Sequence, residues 1–351
     1  MSAVHVSAEA LTVLAKRVLS ARGVGEEDAS DVAECLVETS LRGVDTHGIR
    51  LLPVYARELE GGRSRARPSL TWRPAGAALH VLDAGGALGI VAGRAAAARA
   101  IDLARSNGIG AVSVASSNHF GAASLYTLQM AAAGCIGICA SNSDALVAPY
   151  SGKTRVFGTN PISFAVQGEG QDLFCVDMAT SQASWSMVRA TLDAGATLPR
   201  GWAIDAAGSD LATSEARGEP AALLSLDGHK GQCLSMMVEL LCCLVSGAPF
   251  DHELSHLYAP PYDAPRRIGH FVLALDLASF GEPAAIARRV SELMQLVREA
   301  PAVSRPVVCP GDLELAARAR RLAEGIPLGD AELVELRSLN ALLPGGTRIE
   351  L

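Results

Sequence analysis

Apolar residues recur three and four positions apart at both ends of the chain, and this spacing predicts amphipathic helices there. At the N-terminal end it covers residues 7–60, where Gly23 and Gly25 separate two segments. From about residue 283 onward it returns in three further runs. Between these ends, short apolar runs rich in β-branched residues predict strands at 79–84, 109–115, 135–140, 162–166, 173–178 and 271–277. Helical stretches are predicted between them, at 89–106, 121–134 and 231–246.

The order of these elements divides the chain into three parts. A polar connection with glycines and a proline at 60–69 marks a boundary between the first helices and the first strand. We therefore predict a helical N-terminal part at 1–70, an α/β domain at 71–282, and a helical C-terminal part at 283–351. The two helical ends are expected to pack together beside the α/β domain.

Composition and charge exclude several classes of protein. The chain has 351 residues, 49% hydrophobic and 19% charged, which is typical of a globular protein. Its net charge of −7 gives no indication of a nucleic-acid partner. The longest apolar stretches carry arginines and are too short to cross a bilayer, and the N-terminus lacks the layout of a signal peptide. We expect a cytoplasmic protein with no membrane partner.

The cysteines predict buried thiols rather than a metal site. Most of the eight lie in apolar runs, where a free thiol behaves as a small apolar side chain. Cys135 and Cys139 are spaced like a metal pair, but no second pair of cysteines or histidines lies at suitable spacing. No metal is therefore predicted.

The usual nucleotide-binding motifs are missing. No GxGxxG follows the first predicted strand, since the nearest stretch, at 86–93, has the wrong spacing. No GxxxxGK[ST] occurs either. A standard Rossmann fold therefore lacks its main sequence support.

Polar residues instead collect in turns rich in small residues. The stretches are DTHGIR (45–50), ASSNHFGAASLY (115–126), FGTNPISFA (157–165), CVDMATS (175–181) and LDGHKG (226–231). Taken singly, most have ordinary interpretations as helix caps or turns. His229 and Lys230 differ, because two basic groups at a helix start oppose the helix dipole unless an anion is bound. Together the stretches predict a site for a nucleotide and a small acid.

In this combination the motifs resemble those of the type 2 malate/L-lactate dehydrogenase family. The resemblance rests on LRGVDTHGIRLLPVY, SSNHFGAASLY, GTNPISFA, VDMATS, DGHKG, RRIGHFVLALD and PGDLELAARARRLAEGIPL, in the family's order along almost the whole chain. The stretch SDALVAPYSGKTRVFGTNP and the surroundings of Trp185 look closest to the ureidoglycolate dehydrogenase branch. The resemblance implies a non-Rossmann α/β fold with a mostly antiparallel central sheet and a helical domain formed by both chain ends. It also implies a homodimer and hydride transfer between NAD or NADP and a 2-hydroxy or 2-oxo acid.

The resemblance also implies roles for individual residues. His47 would be the general acid and base, Thr46 its partner in a proton relay, and His119 a neighbour of the reacting carbon. Arg50 would bind the substrate carboxylate and Thr159 would touch the substrate. The expected cofactor-binding residues are His119, Phe120, Gly121, Ala122, Ala123, Asp177, Met178, Ala179, His229 and Lys230. The middle part, 71–282, would then be the cofactor-binding and catalytic domain.

Three positions depart from the family pattern. Many relatives carry the substrate arginine four residues after the histidine, where this chain has Leu51, with Arg50 one position earlier. Relatives usually have Gly-Lys at 186–187, and ketimine reductases tend to have an acidic residue second, whereas this chain has Ser186 and Met187. Asp227 also stands where glycine is common.

Two alternatives stay open, and the second of them is motivated by Met187. One is a reductase of ketimine (cyclic imine) acids that uses the same histidine and the same cofactor. The other is a catalytically impaired member of the family that still binds the cofactor.

Overall fold

The computed structural model describes residues 4–212 and 218–343. The last eight residues of the predicted C-terminal part and the first three of the N-terminal part lie outside these ranges. Within them no helix is long and apolar enough to cross a membrane.

The described residues form ten α-helices and eleven strands. The helices are α1 (Ala8–Ser20), α2 (Glu26–Leu41), α3 (Leu52–Gly61), α4 (Gly89–Asn107), α5 (Ser124–Ala132), α6 (Trp185–Asp193), α7 (His229–Cys243), α8 (Pro283–Arg298), α9 (Asp312–Glu324) and α10 (Asp330–Ala341). The strands are β1 (Val4–Val6), β2 (Thr71–Gly76), β3 (Leu79–Asp83), β4 (Ile109–Ser117), β5 (Cys135–Ser141), β6 (Ile162–Gln167), β7 (Leu173–Met178), β8 (Ala203–Ile204), β9 (Ala222–Leu223), β10 (Ile268–Asp276) and β11 (Ile326–Leu328).

The central sheet joins strands that are distant in sequence. Among the described residues it has seven strands in the order β2-β3-β4-β10-β5-β6-β7. Only β3 and β4 run parallel within it, and every other neighbouring pair is antiparallel. The predicted α/β fold with a mostly antiparallel sheet is thereby confirmed.

The two ends of the chain meet beside this sheet. β1 pairs with β11 in an antiparallel ladder, so Val6 lies opposite Ile326. Arg318 of α9 binds the carboxylate of Glu38 at 2.8 Å, and Arg321 of the same helix binds Asp45. These contacts hold the polar turn after α2 in place. The boundaries at residues 70 and 282 stay a prediction.

Among the described residues, the apolar side chains form one large core, a smaller cluster around α6 and three minor clusters. The large core includes α1 to α4 and the middle of the sheet, with Leu11, Leu36, Tyr55, Leu82 and Val112 all fully buried. The smaller cluster joins Val147, Phe157, Val188, Ala203 and Leu223 around α6 and the β8-β9 pair. The groups that line the main cavity come from both regions.

The predicted elements match the observed ones, but α6, β2 and the shortest strands were not predicted. Each strand predicted from an apolar run occurs, and the helices predicted between them agree within a few residues. The two-residue and three-residue strands were missed because so few residues show no periodicity. β2 was missed because its residues are mostly exposed. Of the eight cysteines, only Cys233 is exposed, and the other seven are buried as predicted.

Candidate active site

A cavity of about 520 Å³ lies where five of the sequence motifs meet. Most of its lining comes from the turn after α2, the start of α5, the connection between β5 and β6, the end of β7 and the residues that lead into α6. The predicted site residues in its wall are Thr46, His47, His119, Gly121, Ala122, Ala123, Thr159, Asp177, Met178, Ala179 and Met187. The fold therefore brings together most of the residues that the sequence analysis selected.

The turn that carries His47 is shaped by a glycine. A Cβ atom at position 48 would lie 2.1 Å from the Ser40 hydroxyl, so no larger residue fits. That hydroxyl accepts a hydrogen bond from the Ile49 N–H at 2.9 Å. On the other side, Arg321 Nη2 donates to the Asp45 carboxylate at 2.9 Å. Asp45 is thus a structural anchor, and the turn presents His47 to the cavity.

His47 and His119 form a stacked pair in the cavity wall. Their ring centroids are 5.5 Å apart, with an angle of 23° between the ring planes. The Nδ1 atom of His47 lies 2.9 Å from the Thr46 hydroxyl. Burial lowers the pKa of His47 to about 4, because the protein cannot solvate the charged imidazolium as water does.

His119 is held by a buried phenol. The Tyr55 hydroxyl is 2.9 Å from His119 Nδ1 and 3.2 Å from the carbonyl oxygen of the same residue. Burial lowers the pKa of His119 well below its usual value, and the positive charges of His47, Arg266 and His270 lower it further. The repulsion between the two rings disfavours charging both at once, and Arg266 and His270 further disfavour a charge on His119.

The start of α5 provides a surface of small residues next to His119. Gly121 has φ +72°, in the left-handed region that favours glycine, and Ala122 and Ala123 follow it. The Ser124 N–H at the first turn of α5 donates to Asp177 Oδ2 at 2.8 Å. Phe120, by contrast, is absent from the cavity wall. Its ring is buried and stacks on His270 with centroids 4.4 Å apart.

Two hydroxyl groups face each other in the wall near the histidines. Thr159 Oγ1 and Ser143 Oγ are 3.3 Å apart, and the Thr159 N–H donates to the same Ser143 oxygen at 3.0 Å. Thr159 was predicted from the TNP turn, whereas Ser143 was not. Both are available as hydrogen-bond partners for a polar ligand.

Another part of the wall is built by the start of α6. Ser184 caps this helix by accepting a hydrogen bond from the Met187 N–H at 3.2 Å. The Met187 side chain is 48% exposed, and the Trp185 ring carries the Arg155 guanidinium 4.5 Å from its centroid. An apolar side chain therefore covers the cavity where many relatives are expected to place a charged one.

Besides Phe120, three other predicted site residues lie outside the cavity lining. Arg50 faces α10, where its Nε atom is 2.7 Å from Glu332 Oε1. His229 and Lys230 are exposed in the first turn of α7, and the His229 ring meets Tyr150 edge-on at 5.9 Å. Leu226, three residues before His229, does line the cavity, so this basic pair lies just beyond its rim.

The structure also shows groups that the sequence analysis missed. Asp144 lies in the cavity wall, bound to the buried Arg266 and 3.7 Å from His256 Nε2. Arg42 lines the cavity as well, and Tyr55 orients His119 from behind. These residues carried no recognisable spacing. Tyr55 reads as one apolar position of a helix, and Arg266 approaches Asp144 only through tertiary contact.

The fold and the paired histidines define a non-Rossmann α/β enzyme. Comparison with known proteins gives the family: residues 6–337 match the malate/L-lactate dehydrogenase family, and the chain belongs to it.

Similar proteins include dehydrogenases and an imine reductase. The NAD(+) ureidoglycolate dehydrogenase of Escherichia coli K12 is 31% identical over 93% of both chains. The Δ1-pyrroline-2-carboxylate/Δ1-piperideine-2-carboxylate reductase of Pseudomonas syringae pv. tomato is 32% identical, over 97% of this chain and 99% of the relative. A Chromohalobacter salexigens sulfolactate dehydrogenase, 31% identical over 95% of this chain and 97% of the relative, is named for NADP(+). The solved malate dehydrogenase of Entamoeba histolytica superposes with a TM-score of 0.91 at 27% identity, covering 98% of this chain and 99% of that one.

Proposed function

We propose that this chain transfers a hydride between NAD or NADP and a small 2-hydroxy or 2-oxo acid, with His47 as the general acid and base. Membership of the family already makes it a nicotinamide-dependent dehydrogenase or reductase acting on small acids. The observation that carries the finer proposal is the stacked pair of His47 and His119 beside the small residues at the start of α5.

The described residues fit a nicotinamide cofactor. Gly121, Ala122 and Ala123 leave room for a flat ring or a phosphate close to the backbone. Asp177 offers carboxylate oxygens to the ribose hydroxyls, and Lys230 offers a positive charge beyond the cavity rim. The nicotinamide supplies or accepts the hydride when it is bound. The protein aligns the substrate and moves the proton.

We assign the proton transfer to His47 because His119 is the harder group to charge. In reduction, the His47 imidazolium would give its proton to the new alkoxide oxygen. In oxidation, the neutral ring would accept the hydroxyl proton. An anionic substrate bound nearby raises the low pKa of His47, so substrate binding itself prepares the acid. Thr46, hydrogen-bonded to Nδ1, holds the ring and continues the relay.

For the substrate carboxylate we propose the hydroxyls of Thr159 and Ser143 in place of Arg50. They lie in the cavity wall, whereas Arg50 is engaged with Glu332 outside it. Arg50 would reach a ligand only after breaking that ion pair.

We further propose a cytoplasmic homodimer. One face of α7 leaves Met236, Met237, Leu240 and Leu244 exposed, between 42% and 68%, and a second copy would cover such a face. The free, buried cysteines suit a reducing compartment. Light scattering of the purified protein tests the dimer, and a monomeric mass at micromolar concentration would refute it.

The second candidate is a reductase of cyclic imine acids. The 32% identity to the pyrroline- and piperideine-carboxylate reductase favours it. The same hydride and the same histidine serve both reactions, and they differ in whether nitrogen or oxygen receives the proton. Met187 carries neither the lysine nor the acidic group expected of the two standard types.

The deciding experiment measures oxidation of NADH and NADPH by the purified protein. The panel holds 2-oxo acids, the same acids with ammonia or methylamine, and preformed cyclic imine acids. Turnover with a plain oxo acid supports the dehydrogenase proposal. Turnover confined to imines overturns it in favour of the reductase. Cofactor binding without turnover on any of them supports the catalytically impaired alternative.

A further inference from the structure

Behind the Thr159 and Ser143 hydroxyls lies a carboxylate that is fully buried. Asp251 has 0% exposure, and among the described residues no arginine or lysine forms an ion pair with it. A buried carboxylate without a counter-cation is costly unless many hydrogen bonds stabilise it. The hydrogen bonds of Asp251 explain how the fold tolerates this buried carboxylate.

Asp251 accepts hydrogen bonds from two segments of the connection between β5 and β6, the loop at Ser143 and the loop at Thr159. Its Oδ2 atom accepts from the Gly158 N–H and from Asn160 Nδ2, both at 2.7 Å. Its Oδ1 atom accepts from the Ser143 N–H at 3.3 Å. Thr159 lies between the first two donors in sequence, and Ser143 is the third donor itself. One carboxylate therefore sets the distance between the two hydroxyl-bearing loops.

The loop needs this support because its backbone is strained. Asn160 has φ +39°, which is uncommon for a residue other than glycine, and its side chain is fully buried. Asn160 Nδ2 also donates to Ser235 of α7 at 3.2 Å. Position 158 must be glycine, since a Cβ there would lie 2.3 Å from Ser143 Oγ. Hydrogen bonds to Asp251 thus hold a conformation that the sequence alone would not favour.

A second carboxylate makes the arrangement sensitive to pH. Glu239 of α7, also buried, accepts a hydrogen bond from the Asp251 N–H at 3.0 Å. Burial and the neighbouring charge of Glu239 raise the pKa of Asp251 to about 7. The other titratable groups near the pair are Cys242 and Cys243 of α7 and His252 and Glu253 on the turn of Asp251 itself. The loops of Ser143 and Gly158 present only N–H donors to it.

We propose that Asp251 is a positioning residue for the substrate, and that protonation of the buried Asp251–Glu239 pair changes the geometry of the Thr159–Ser143 wall. The ionised Asp251 carboxylate accepts all three hydrogen bonds and fixes the distance between the Thr159 and Ser143 hydroxyls. Protonation removes acceptor capacity and loosens the wall. The effect on substrate rests on the proposed function, whereas the effect on the wall does not.

The first test follows the wall without any substrate. The γ-methyl group of Thr159, labelled with 13C and assigned by its loss in Thr159→Ser, is followed by NMR from pH 5 to 9. In the unaltered protein its signal should shift with a midpoint at about pH 7. Asp251→Asn should abolish this titration, and Glu239→Gln should lower its midpoint because the repelling charge is gone. Glu253→Gln, on the same turn but exposed, is the matched control and should titrate like the unaltered protein.

The second test uses turnover. Asp251→Asn should raise the substrate KM by about tenfold or more while leaving the cofactor Kd within about twofold, because only the substrate wall moves. An unmoving Thr159 signal in the unaltered protein, or a titration that survives in Asp251→Asn, overturns the proposal. An unchanged KM in that variant overturns its substrate part. If Asp251→Asn does not fold, Glu239→Gln decides the question. A Thr159 titration in that variant with the same midpoint as in the unaltered protein is then sufficient to overturn the proposal. Failure of the proposed function would silence turnover but leave the NMR titration in place.

Discussion

The two walls of the cavity are held in different ways. The histidine wall, formed by Thr46, His47 and His119, is anchored in the large core through Tyr55, which is fully buried. The methionine wall, residues 181–187, adjoins the smaller cluster and leaves Met187 about half exposed. Rigid support suits proton transfer, which depends on sub-ångström geometry. A more exposed wall suits the choice of substrate, since its side chains can change without disturbing the core.

The largest expected effect comes from the histidine wall. His47→Ala should lower turnover by roughly 10²–10⁴ while cofactor binding persists, because only the proton-transfer group is lost. Steady-state rates together with a fluorescence titration of NADH measure both quantities. His5→Ala, an exposed histidine on β1, is the control. Turnover that stays unchanged in His47→Ala would remove His47 from its assigned role.

A smaller effect on turnover is expected from a change at Tyr55, which holds the His119 ring. Tyr55→Phe removes the hydroxyl that holds the Nδ1 atom of this ring, so kcat should fall by about tenfold. Loss of a buried hydrogen bond should lower the free energy of unfolding by about 1 kcal/mol. Urea unfolding and initial rates measure the two effects. If stability falls but kcat does not, Tyr55 supports the fold alone.

A substitution in the methionine wall should change the preference between substrates rather than the turnover rate on all of them. Met187→Ala enlarges the cavity, so the ratio of kcat/KM between longer and shorter substrates should rise by about tenfold. Because the side chain is half exposed, the free energy of unfolding should change by less than about 0.5 kcal/mol. Competition assays with paired acids measure the ratio. Equal effects on all substrates would show that Met187 does not contact them.

The smallest effect is expected from Lys230, which lies outside both walls of the cavity. Lys230→Ala should weaken cofactor binding by up to about fivefold, the size typical of an exposed ion pair. The loss should shrink as salt is added, because exposed charges are screened. Lys153→Ala, another exposed lysine, should leave the affinity unchanged. Equal NADH affinity in Lys230→Ala at low salt would exclude a phosphate contact.

Sequence patterns predicted the histidine wall better than the rest of the site. His47 and His119 lie in turns whose glycines and small residues are visible in the sequence, and short apolar runs predicted the strands that carry the site. Arg50 shows what the sequence could not predict. Its direction is set by Glu332 on α10, which no local pattern reveals. Asp251 reads as an ordinary acidic residue in a turn, and its burial results from two loops that approach it from elsewhere in the chain.

The most direct test of the account uses NADH or NADPH carrying deuterium at C4 of the nicotinamide. After incubation with the acid that supports turnover, the product is analysed by mass spectrometry and NMR. The account predicts one deuterium at C2 of the product, from only one of the two C4 positions, and its near absence with His47→Ala over the same time. Product that forms without deuterium from either position would contradict hydride transfer as the reaction of this chain.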